Sequence, residues 1–190
     1  MQLQPDSKIP LTYYPSVVQN HRELLAELIA TLPWNRRTMK MYGKEYDVPR
    51  DEVWIGSEPY RYSGFTYPPR PWIPELLPLK AIAEVYAGVK YDSVLINLYR
   101  DGEDKVAWHC DCEPTMSAEH PICSVSLGAT RKFQIRHKHP KDSPITSYEL
   151  ASGSIVLMHA GMQGDWLHQV PAQPKVKEPR INLTFRVMTT

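Results

Sequence analysis

The sequence predicts an α+β domain in which helices come first and an antiparallel sandwich or barrel of short strands follows. Two segments before residue 90 carry apolar residues at helical spacing, and eight short alternating segments separated by turn signals follow residue 92. The 190 residues suffice for one domain with a sizeable core but not for two. We expect one domain over 1–190, with an extension and helix in 1–37, hairpins in 38–72 and a strand-rich core in 93–188.

Two helices are predicted before the core strands. The first begins at Asn20 and turns its apolar residues to one face: Leu24, Leu25, Leu28 and Ile29. The second begins near Pro74, which suits a first helical turn, and stops at Gly88. Its predicted inward residues are Leu77, Ala81, Ile82 and Val85. Residues 1–19 are expected to wrap the outside of the domain and show no secretory signal.

The remaining segments read as strands. In the hairpin region, 38–42 and 45–48 are strand-like runs joined by a turn. The eight core strands are expected at 93–99, 106–111, 122–127, 132–137, 147–150, 154–159, 166–170 and 181–188.

The charge balance argues against binding a nucleic acid by bulk charge. Lys and Arg number 22 against 21 Asp and Glu, which leaves a formal charge of +1 and a pI near 7.7. This sum hides opposed segments, because 36–50 and 131–141 are basic whereas 101–119 is acidic. Local phosphate binding therefore remains open. No apolar run approaches the roughly 18 residues of a membrane span, so we expect no membrane partner.

The last predicted strand carries a polar stripe. Residues two apart on a strand share a face, and four polar residues alternate here with apolar ones: Arg180, Asn182, Thr184 and Arg186. One interpretation is an edge strand with one face in water. The other is an inward stripe whose two cations hold an anionic ligand such as a dicarboxylate.

A candidate metal site combines two strands. Alternation places His109 and Asp111 on one face, and His168 lies on a later strand. Two histidines and one carboxylate, with the other positions open, form the ligand set of non-haem Fe(II) oxygenases. Short patterns of this kind also recur by chance.

The cysteines offer a rival metal site. Cys110, Cys112 and Cys123 with a histidine would suit tetrahedral zinc, but one intervening residue is fewer than zinc sites usually have. Buried reduced thiols are the expected state of these cysteines.

A third group of polar residues supports an interior ligand. Asn97 and Tyr99 share a face of the strand 93–99, and both can donate hydrogen bonds to a carboxylate. Tyr99 would otherwise simply cap one end of a barrel. A ligand-binding lumen accounts for the polar residues of three strands together.

Together these residues resemble the AlkB family of Fe(II)- and 2-oxoglutarate-dependent dioxygenases. The resemblance covers about residues 20–188 and rests on four ordered strings, of which the last is the most selective: Asn97-Leu98-Tyr99, His109-Cys110-Asp111, His168, and Arg180-Ile181-Asn182-Leu183-Thr184-Phe185-Arg186. It implies a double-stranded β-helix (jelly-roll) core, supporting N-terminal helices and a nucleotide-recognition hairpin region.

The resemblance also implies roles for the candidate residues. His109, Asp111 and His168 would bind Fe(II), and Arg180 would pair with the distal carboxylate of 2-oxoglutarate. The other residues of the co-substrate pocket would be Asn97, Tyr99, Asn182, Thr184 and Arg186. With O2, the family chemistry hydroxylates an N-methyl group and gives succinate and CO2, and the hydroxymethyl product then releases formaldehyde. The expected substrates are 1-methyladenine and 3-methylcytosine in DNA.

Segments 41–44, 48–50 and 60–64 are similar to the branch of the family that repairs duplex DNA. By this similarity, Tyr42 would fill the gap left by a flipped base, and Tyr62 would stack on that base opposite His109. The remaining predicted substrate contacts are Arg50, Tyr60 and Glu113. Each aromatic residue could instead be an ordinary surface or half-buried side chain.

The partner expected from this resemblance is alkylated DNA, with duplex preferred over single strand. We expect a monomer, located in the cytoplasm if the source is bacterial and in the nucleus if it is eukaryotic. The alternatives are the same chemistry on RNA or protein, and a jelly-roll binding module without catalysis.

Overall fold

The structure is a computed structural model that describes residues 9–41, 44–62 and 65–189. Within these residues the helices are α1 (His21–Thr31), α2 (Leu77–Ala87, preceded by a 3-10 turn at Pro74–Leu76) and the single turn α3 (Met162–Asp165). The strands are β1 (Leu11–Tyr14), β2 (Thr38–Met41), β3 (Lys44–Asp47), β4 (Asp51–Gly56), β5 (Tyr60–Tyr62), β6 (Phe65–Tyr67), β7 (Ser93–Tyr99), β8 (Val106–His109), β9 (Ile122–Gly128), β10 (Arg131–His137), β11 (Thr146–Leu150), β12 (Ser154–Met158), β13 (Trp166–Val170) and β14 (Arg180–Arg186).

Two antiparallel sheets form the core of the domain. The larger sheet has the strand order β1-β12-β9-β14-β7-β4, and the smaller has the order β11-β10-β13-β8. Two-stranded sheets β2–β3 and β5–β6 form the hairpins outside this core. The paired sheets have the double-sheet arrangement of a jelly roll, so the predicted α+β class and jelly-roll core are confirmed.

Alternation along β7 divides the interior into two layers. Val94, Ile96 and Leu98 belong to a cluster that includes the buried faces of α1 and α2. Leu95 and Tyr99 belong to a second cluster, which also draws buried residues from the smaller sheet. The helices therefore cover one face of the large sheet, and the opposite face is left for the interior between the sheets.

Helix α2 begins and ends where the sequence predicts, but it buries a different face. Gly88 ends it with a φ of 70°, a left-handed conformation that suits glycine. Leu79 and Ala83 are fully buried, whereas Leu77 and Val85 are 49% and 80% exposed. Of the predicted inward set, Ile82 packs against the core, but Leu77, Ala81 and Val85 are exposed. The helix carries apolar residues on more than one side, and its packing on β9 selects the Leu79 side.

Two strands of the large sheet were not predicted as core strands. The segment expected to wrap the outside contains β1, which pairs with β12 through Leu11↔Met158. The predicted hairpin region contains β4, which pairs with β7 and forms the other edge of the large sheet. Only β2–β3 and β5–β6 of that region are hairpins in the described structure.

Across the described ranges, none of the helices combines the length and the apolar character that crossing a membrane would require.

Candidate metal and co-substrate site

The three predicted iron ligands meet between the sheets. His109 ends β8 and lies directly opposite His168 on β13. Asp111 lies two residues beyond His109 and outside β8, which ends two residues earlier than predicted. One potential ligand atom from each of the three lies within 4.8 Å of the others. Adjacent strands thus place two imidazoles and one carboxylate around a single point.

Two neighbours hold Asp111 in place. Arg186 Nη2 lies 2.9 Å from Oδ2 of the Asp111 carboxylate, and the backbone N–H of Asp111 donates to Gln163 Oε1 at 2.9 Å. Burial by itself raises the pKa of Asp111, but the positive charge of Arg186 and its hydrogen bond to the carboxylate hold the pKa well below the usual range. The side chain is therefore an ionised carboxylate with one oxygen, Oδ1, turned toward His109 at 3.7 Å.

The histidines are held in forms that suit metal binding. His109 Nδ1 lies 2.8 Å from the carbonyl oxygen of Ala107, which leaves Nε2 toward Asp111. Burial lowers the pKa of His168 to about 3, and the neighbouring His109 adds to this effect. His168 is therefore neutral at physiological pH, and a metal requires a neutral imidazole.

An interior cavity adjoins the three ligands. Its volume is about 50 Å³, whereas one water needs about 10–15 Å³ by the same measure. The walls carry every predicted iron ligand and every predicted co-substrate residue: Asn97, Tyr99, His109, Asp111, His168, Arg180, Asn182, Thr184 and Arg186. The polar stripe of β14 therefore faces inward, and the interpretation of β14 as an exposed edge strand is wrong, since it lies between β9 and β7.

Arg180 is the buried cation at one end of this cavity. It is 1% exposed, and its Nη2 lies 2.8 Å from both Ser126 Oγ and Asn182 Oδ1. Its Nε and Nη1 have no hydrogen-bond partner among the described residues. Burial lowers the pKa of Arg180 to about 10, so the guanidinium remains charged at neutral pH.

The ring of Tyr99 lies between two guanidinium groups. The Cζ atoms of Arg180 and Arg131 lie 5.3 and 5.5 Å from its centroid. Arg131 is locked by bonds of 2.8 Å to the carbonyl oxygens of Asp101, Asp104 and Pro171. Stacking on a fixed cation holds Tyr99 beside Arg180, as the predicted pairing requires.

The side chains of β14 are tied into a row. Asn182 Oδ1 accepts from Ser124 Oγ at 2.8 Å, and its Nδ2 donates to Thr184 Oγ1 at 2.8 Å. At the metal end of the row, Arg186 is bound to Asp111 rather than facing only the co-substrate space. Its Nε and Nη1 have no hydrogen-bond partner within the described part of the chain.

Arg50 was predicted to contact the substrate, but it lies in the wall of the cavity. It is 6% exposed, and its Nε donates to Asn97 Oδ1 at 2.9 Å. Its Nη2 lies 2.6 Å from Glu52 Oε1. These contacts place Arg50 beside the co-substrate residues.

Tyr60 and Glu113, two of the predicted substrate contacts, lie beside Arg186 next to the metal-ligand cluster, and Tyr60 is fully buried. Arg186 Cζ lies 5.4 Å from the Tyr60 ring centroid. Burial raises the pKa of Glu113, and the repulsion of Asp111 adds to this, although Arg186 and a hydrogen bond from Tyr60 oppose it. Of the two other predicted substrate contacts, Tyr42 lies outside the described residues. Tyr62 ends β5, and its side chain is likewise outside the described part.

Sequence reasoning missed several residues of the site. Ser124 and Ser126 alternate with apolar residues on β9 and face Thr184 and Asn182 in register. This is the same alternation that identified the stripe on β14, so the signal was present. Gln163 is a different case, because it lies in the helical turn α3, 52 residues away in sequence, and only the fold brings it to Asp111.

The structure corrects the prediction for two of the three cysteines. Cys110 and Cys112 form a disulfide, whereas Cys123 is a free, buried thiol as expected. The two residues are two apart in sequence, and their Cα atoms are 5.4 Å apart, within the usual range for a disulfide. This pairing also removes the thiolates that the zinc alternative required.

The residues fit an iron ion with a dicarboxylate beside it. Buried N–H groups are almost always hydrogen-bonded, so the four orphan nitrogens of Arg180 and Arg186 mark places where acceptors belong. Carboxylates are the acceptors that guanidinium groups match best. The neutral His168 and the ionised Asp111 are in the forms that coordinate a metal.

Comparisons with known proteins agree with this reading. Residues 11–186 match the family described as the 2OG-Fe(II) oxygenase superfamily. The chain is 37% identical over 196 residues to alpha-ketoglutarate-dependent dioxygenase alkB homolog 3 of Homo sapiens, covering 98% of this chain and 68% of the relative. It is 41% identical over 170 residues to the Bos taurus protein of the same name, covering 85% and 59%.

Two further matches complete the comparison. DNA oxidative demethylase ALKBH2 of Bos taurus is 38% identical over 156 residues, covering 78% of this chain and 56% of the relative. The solved structure of OsALKBH1 superposes with a TM-score of 0.66 at 18% identity, covering 96% of this chain and all of the other, which shows the fold. The chain thus spans between 56% and 68% of the length of these curated relatives.

The chain belongs to the 2OG-Fe(II) oxygenase superfamily, and within it to the AlkB family, which confirms the predicted family, its enzyme class and the family's use of Fe(II), 2-oxoglutarate and O2.

Proposed function

We propose that the protein demethylates N-alkylated bases oxidatively, with 1-methyladenine and 3-methylcytosine in duplex DNA as the preferred substrates. The reaction would consume O2 and 2-oxoglutarate and release formaldehyde, succinate and CO2. One observation carries the proposal: His109, Asp111 and His168 converge at one end of a cavity whose other wall holds a buried arginine with unpaired N–H groups. A relative named DNA oxidative demethylase supports DNA as the substrate class.

The division of labour among the residues follows from their positions. His109, Asp111 and His168 would hold Fe(II), which supplies the activation of O2 when it is bound. Arg186 keeps Asp111 ionised and fixes which oxygen faces the metal. Arg180 would bind a carboxylate of 2-oxoglutarate through its Nε and Nη1, which have no hydrogen-bond partner among the described residues, at the far end of the stripe.

The mouth of the site suits a cationic methylated base. Glu113 is a half-buried carboxyl with a raised pKa, and it lies beside Tyr60, whose ring is fully buried and stacked against Trp54 and Tyr67. A positively charged base beside Glu113 would favour the ionised form of this carboxyl, so Glu113 would select a charged base over its neutral counterpart. Tyr46, 45% exposed on β3, adds an aromatic surface to the hairpin region.

The test is to incubate the protein with Fe(II), 2-oxoglutarate and oligonucleotides containing 1-methyladenine or 3-methylcytosine, and to follow the loss of 14 mass units, the mass of a CH₂ group, by mass spectrometry. Matched duplex DNA, single-stranded DNA and RNA should be repaired in that order of rate. If RNA were repaired fastest, RNA rather than DNA would be the preferred substrate. Intact methyl groups in all three, without succinate, would contradict the proposal.

A further inference from the structure

A buried ion network lies at the base of the two hairpins. Glu52 on β4 is 1% exposed, and three side chains converge on its carboxylate. Arg37 Nε and Arg50 Nη2 each lie 2.6 Å from one of its oxygens, and the Tyr67 hydroxyl donates to the oxygen that Arg37 contacts. We call Arg37, Arg50, Glu52 and Tyr67 the Glu52 network. None of its members is an iron ligand, and none but Arg50 was a predicted site residue.

One arm of the network reaches the co-substrate cavity. Glu52 lies in register with Asn97 on the neighbouring strand β7, so both side chains point to the same side of the sheet. Arg50 bridges them, since its Nη2 binds Glu52 and its Nε donates to Asn97 at 2.9 Å. Without the carboxylate, Arg50 would keep its hydrogen bonds to Asn97 and to the carbonyl oxygen of Lys105, but it would lose the ion pair at Nη2 that helps to fix the direction of its guanidinium plane.

The other arm reaches the hairpins. Arg37 immediately precedes β2, and backbone hydrogen bonds between Asn35 and Glu52 hold that segment against β4. Arg37 Cζ lies 5.4 and 5.2 Å from the ring centroids of Phe65 and Tyr67, the two ends of β6. One carboxylate therefore binds the start of one hairpin and the end of the other.

A second series of contacts leads from Tyr67 to the metal-ligand cluster. The Tyr67 ring stacks on Tyr60 with centroids 5.9 Å apart, and Tyr60 lies under the guanidinium of Arg186 at 5.4 Å. Arg186 in turn binds Asp111. Glu52 thus connects to both ends of the cavity, through Arg50 to Asn97 and through Tyr67 and Tyr60 to Arg186.

We propose that Glu52 is a positioning residue that couples the substrate-binding hairpins to the co-substrate pocket. It sets Arg50 against Asn97 for 2-oxoglutarate and sets Arg37 and Tyr67 for the hairpins, so one side chain governs the affinity for both. This inference rests on the proposed function for its substrate side only. A merely structural carboxylate would change the fraction of folded enzyme and leave both affinities unaltered.

The neighbouring residue supplies a matched control. Asp51 also accepts from an arginine of the preceding segment, Arg36, at 2.7 Å. The side chains of this pair are 37% and 14% exposed, against 4% and 0% for Arg37 and Glu52. Asp51→Asn and Glu52→Gln therefore make the same chemical change at adjacent positions, one near solvent and one in the network.

The experiment measures 2-oxoglutarate binding by calorimetry on protein loaded with Mn(II) in place of Fe(II), and the KM for a methylated duplex in turnover. Glu52→Gln should weaken 2-oxoglutarate binding by roughly tenfold, as loss of a residue that orients a ligand-binding group does. The same variant should raise the KM for DNA, with kcat at saturation less affected. Asp51→Asn should leave both values at those of the natural protein, and Arg37→Gln should raise only the KM for DNA.

The outcomes separate the two proposals. Failure of the natural protein to bind 2-oxoglutarate with Mn(II) would contradict the proposed function itself. If the natural protein binds and a folded Glu52→Gln variant binds equally well, the positioning role is refuted. Should Glu52→Gln not fold, Glu52→Asp keeps the charge but is one methylene too short to span both arginines. Unchanged 2-oxoglutarate affinity in folded Glu52→Asp would also overturn the inference.

Discussion

Two pairs of buried arginines in this fold differ in how many of their nitrogens have hydrogen-bond partners. Arg37 and Arg50 share the carboxylate of Glu52 at the base of the hairpins. Arg180 and Arg186 lie on the cavity wall, and each keeps two nitrogens without a hydrogen-bond partner among the described residues. Both pairs are at most 6% exposed.

This difference distinguishes arginines that stabilise the fold from arginines that bind a ligand. A buried cation is costly unless its donors are met, so a guanidinium that the fold leaves half-satisfied indicates a ligand that completes it. A guanidinium satisfied by a buried carboxylate instead organises the chain around it. Removing one partner of the satisfied pair should therefore cost stability, and removing an unsatisfied arginine should cost binding.

The largest effect is expected at Asp111, the carboxylate that binds Arg186 on the cavity wall. Asp111→Ala removes the only carboxylate among the three clustered ligands and leaves Arg186 without its partner. Fe(II) affinity and turnover should fall by more than about 100-fold, the upper effect of changing a residue that merely supports a ligand. Anaerobic Fe(II) titration measures this, with the exposed Asp142→Ala as control. Retained turnover would place the metal elsewhere.

A second substitution isolates the ligand-binding arginine. Arg180→Met should weaken 2-oxoglutarate binding by about 100-fold, because loss of a buried charge-paired contact costs roughly 2–5 kcal/mol. In ligand-free protein the same change should leave the free energy of unfolding unchanged or higher, since an incompletely paired buried charge disappears. Calorimetry and urea unfolding measure the two effects. Strong destabilisation, absent from the exposed control Lys132→Met, would show that Arg180 is structural.

The hairpin-base pair should respond in the opposite way. Glu52→Gln should lower the free energy of unfolding at pH 7 by about 3 kcal/mol, because two buried cations lose a shared partner. Burial alone would raise the pKa of Glu52, but Arg50, Arg37 and Tyr67 together lower it below 4.5. The folded state therefore binds this proton less readily than the unfolded chain does, and the stabilisation is present above pH 4.5 and lost as pH falls below it.

The pH dependence provides the check on that substitution. Urea unfolding at pH 7 and at pH 4 should show the gap between natural protein and Glu52→Gln narrowing at the lower pH. Asp51→Asn should show a much smaller gap at pH 7, as expected for a more exposed pair. A gap that widens on acidification would mean that the pKa of Glu52 is raised rather than lowered.

The smallest effect is expected at Tyr42, which lies between β2 and β3 in the sequence. Tyr42→Ala should lower the rate on methylated duplex about tenfold, because a side chain that fills the gap of a flipped base offsets part of the few kcal/mol of unstacking. Single-stranded substrate needs no such filler, so its rate should change little. Parallel assays on both substrates measure the ratio, and equal losses would refute the assignment of Tyr42 as a wedge.

The sequence was most informative where local periodicity decides the structure. Alternation on β14 and β7 predicted that Arg180, Asn182, Asn97 and Tyr99 face one ligand, and all four line the cavity. Their roles toward 2-oxoglutarate stay predictions.

Periodicity failed where distant contacts decide the structure. The buried face of α2 depends on β9, and β1 exists because it pairs with a strand more than 140 residues away. The Glu52 network could not be predicted either. An isolated glutamate on a strand is ordinarily solvated, and its burial depends on Arg37 from a preceding segment as well as on the nearby Arg50. Most of the site residues that the sequence identified lie on strands, whereas Gln163 was missed because only the folded chain brings it to Asp111.

The most direct test of the central claim counts both products in one reaction. Natural protein with Fe(II), O2, 2-oxoglutarate and a duplex containing 1-methyladenine should yield one succinate for each methyl group removed, with both counts lost together in Asp111→Ala. Succinate formed without demethylation of any nucleic acid, or demethylation without succinate, would contradict the account of this cavity as the active site of a nucleic-acid demethylase.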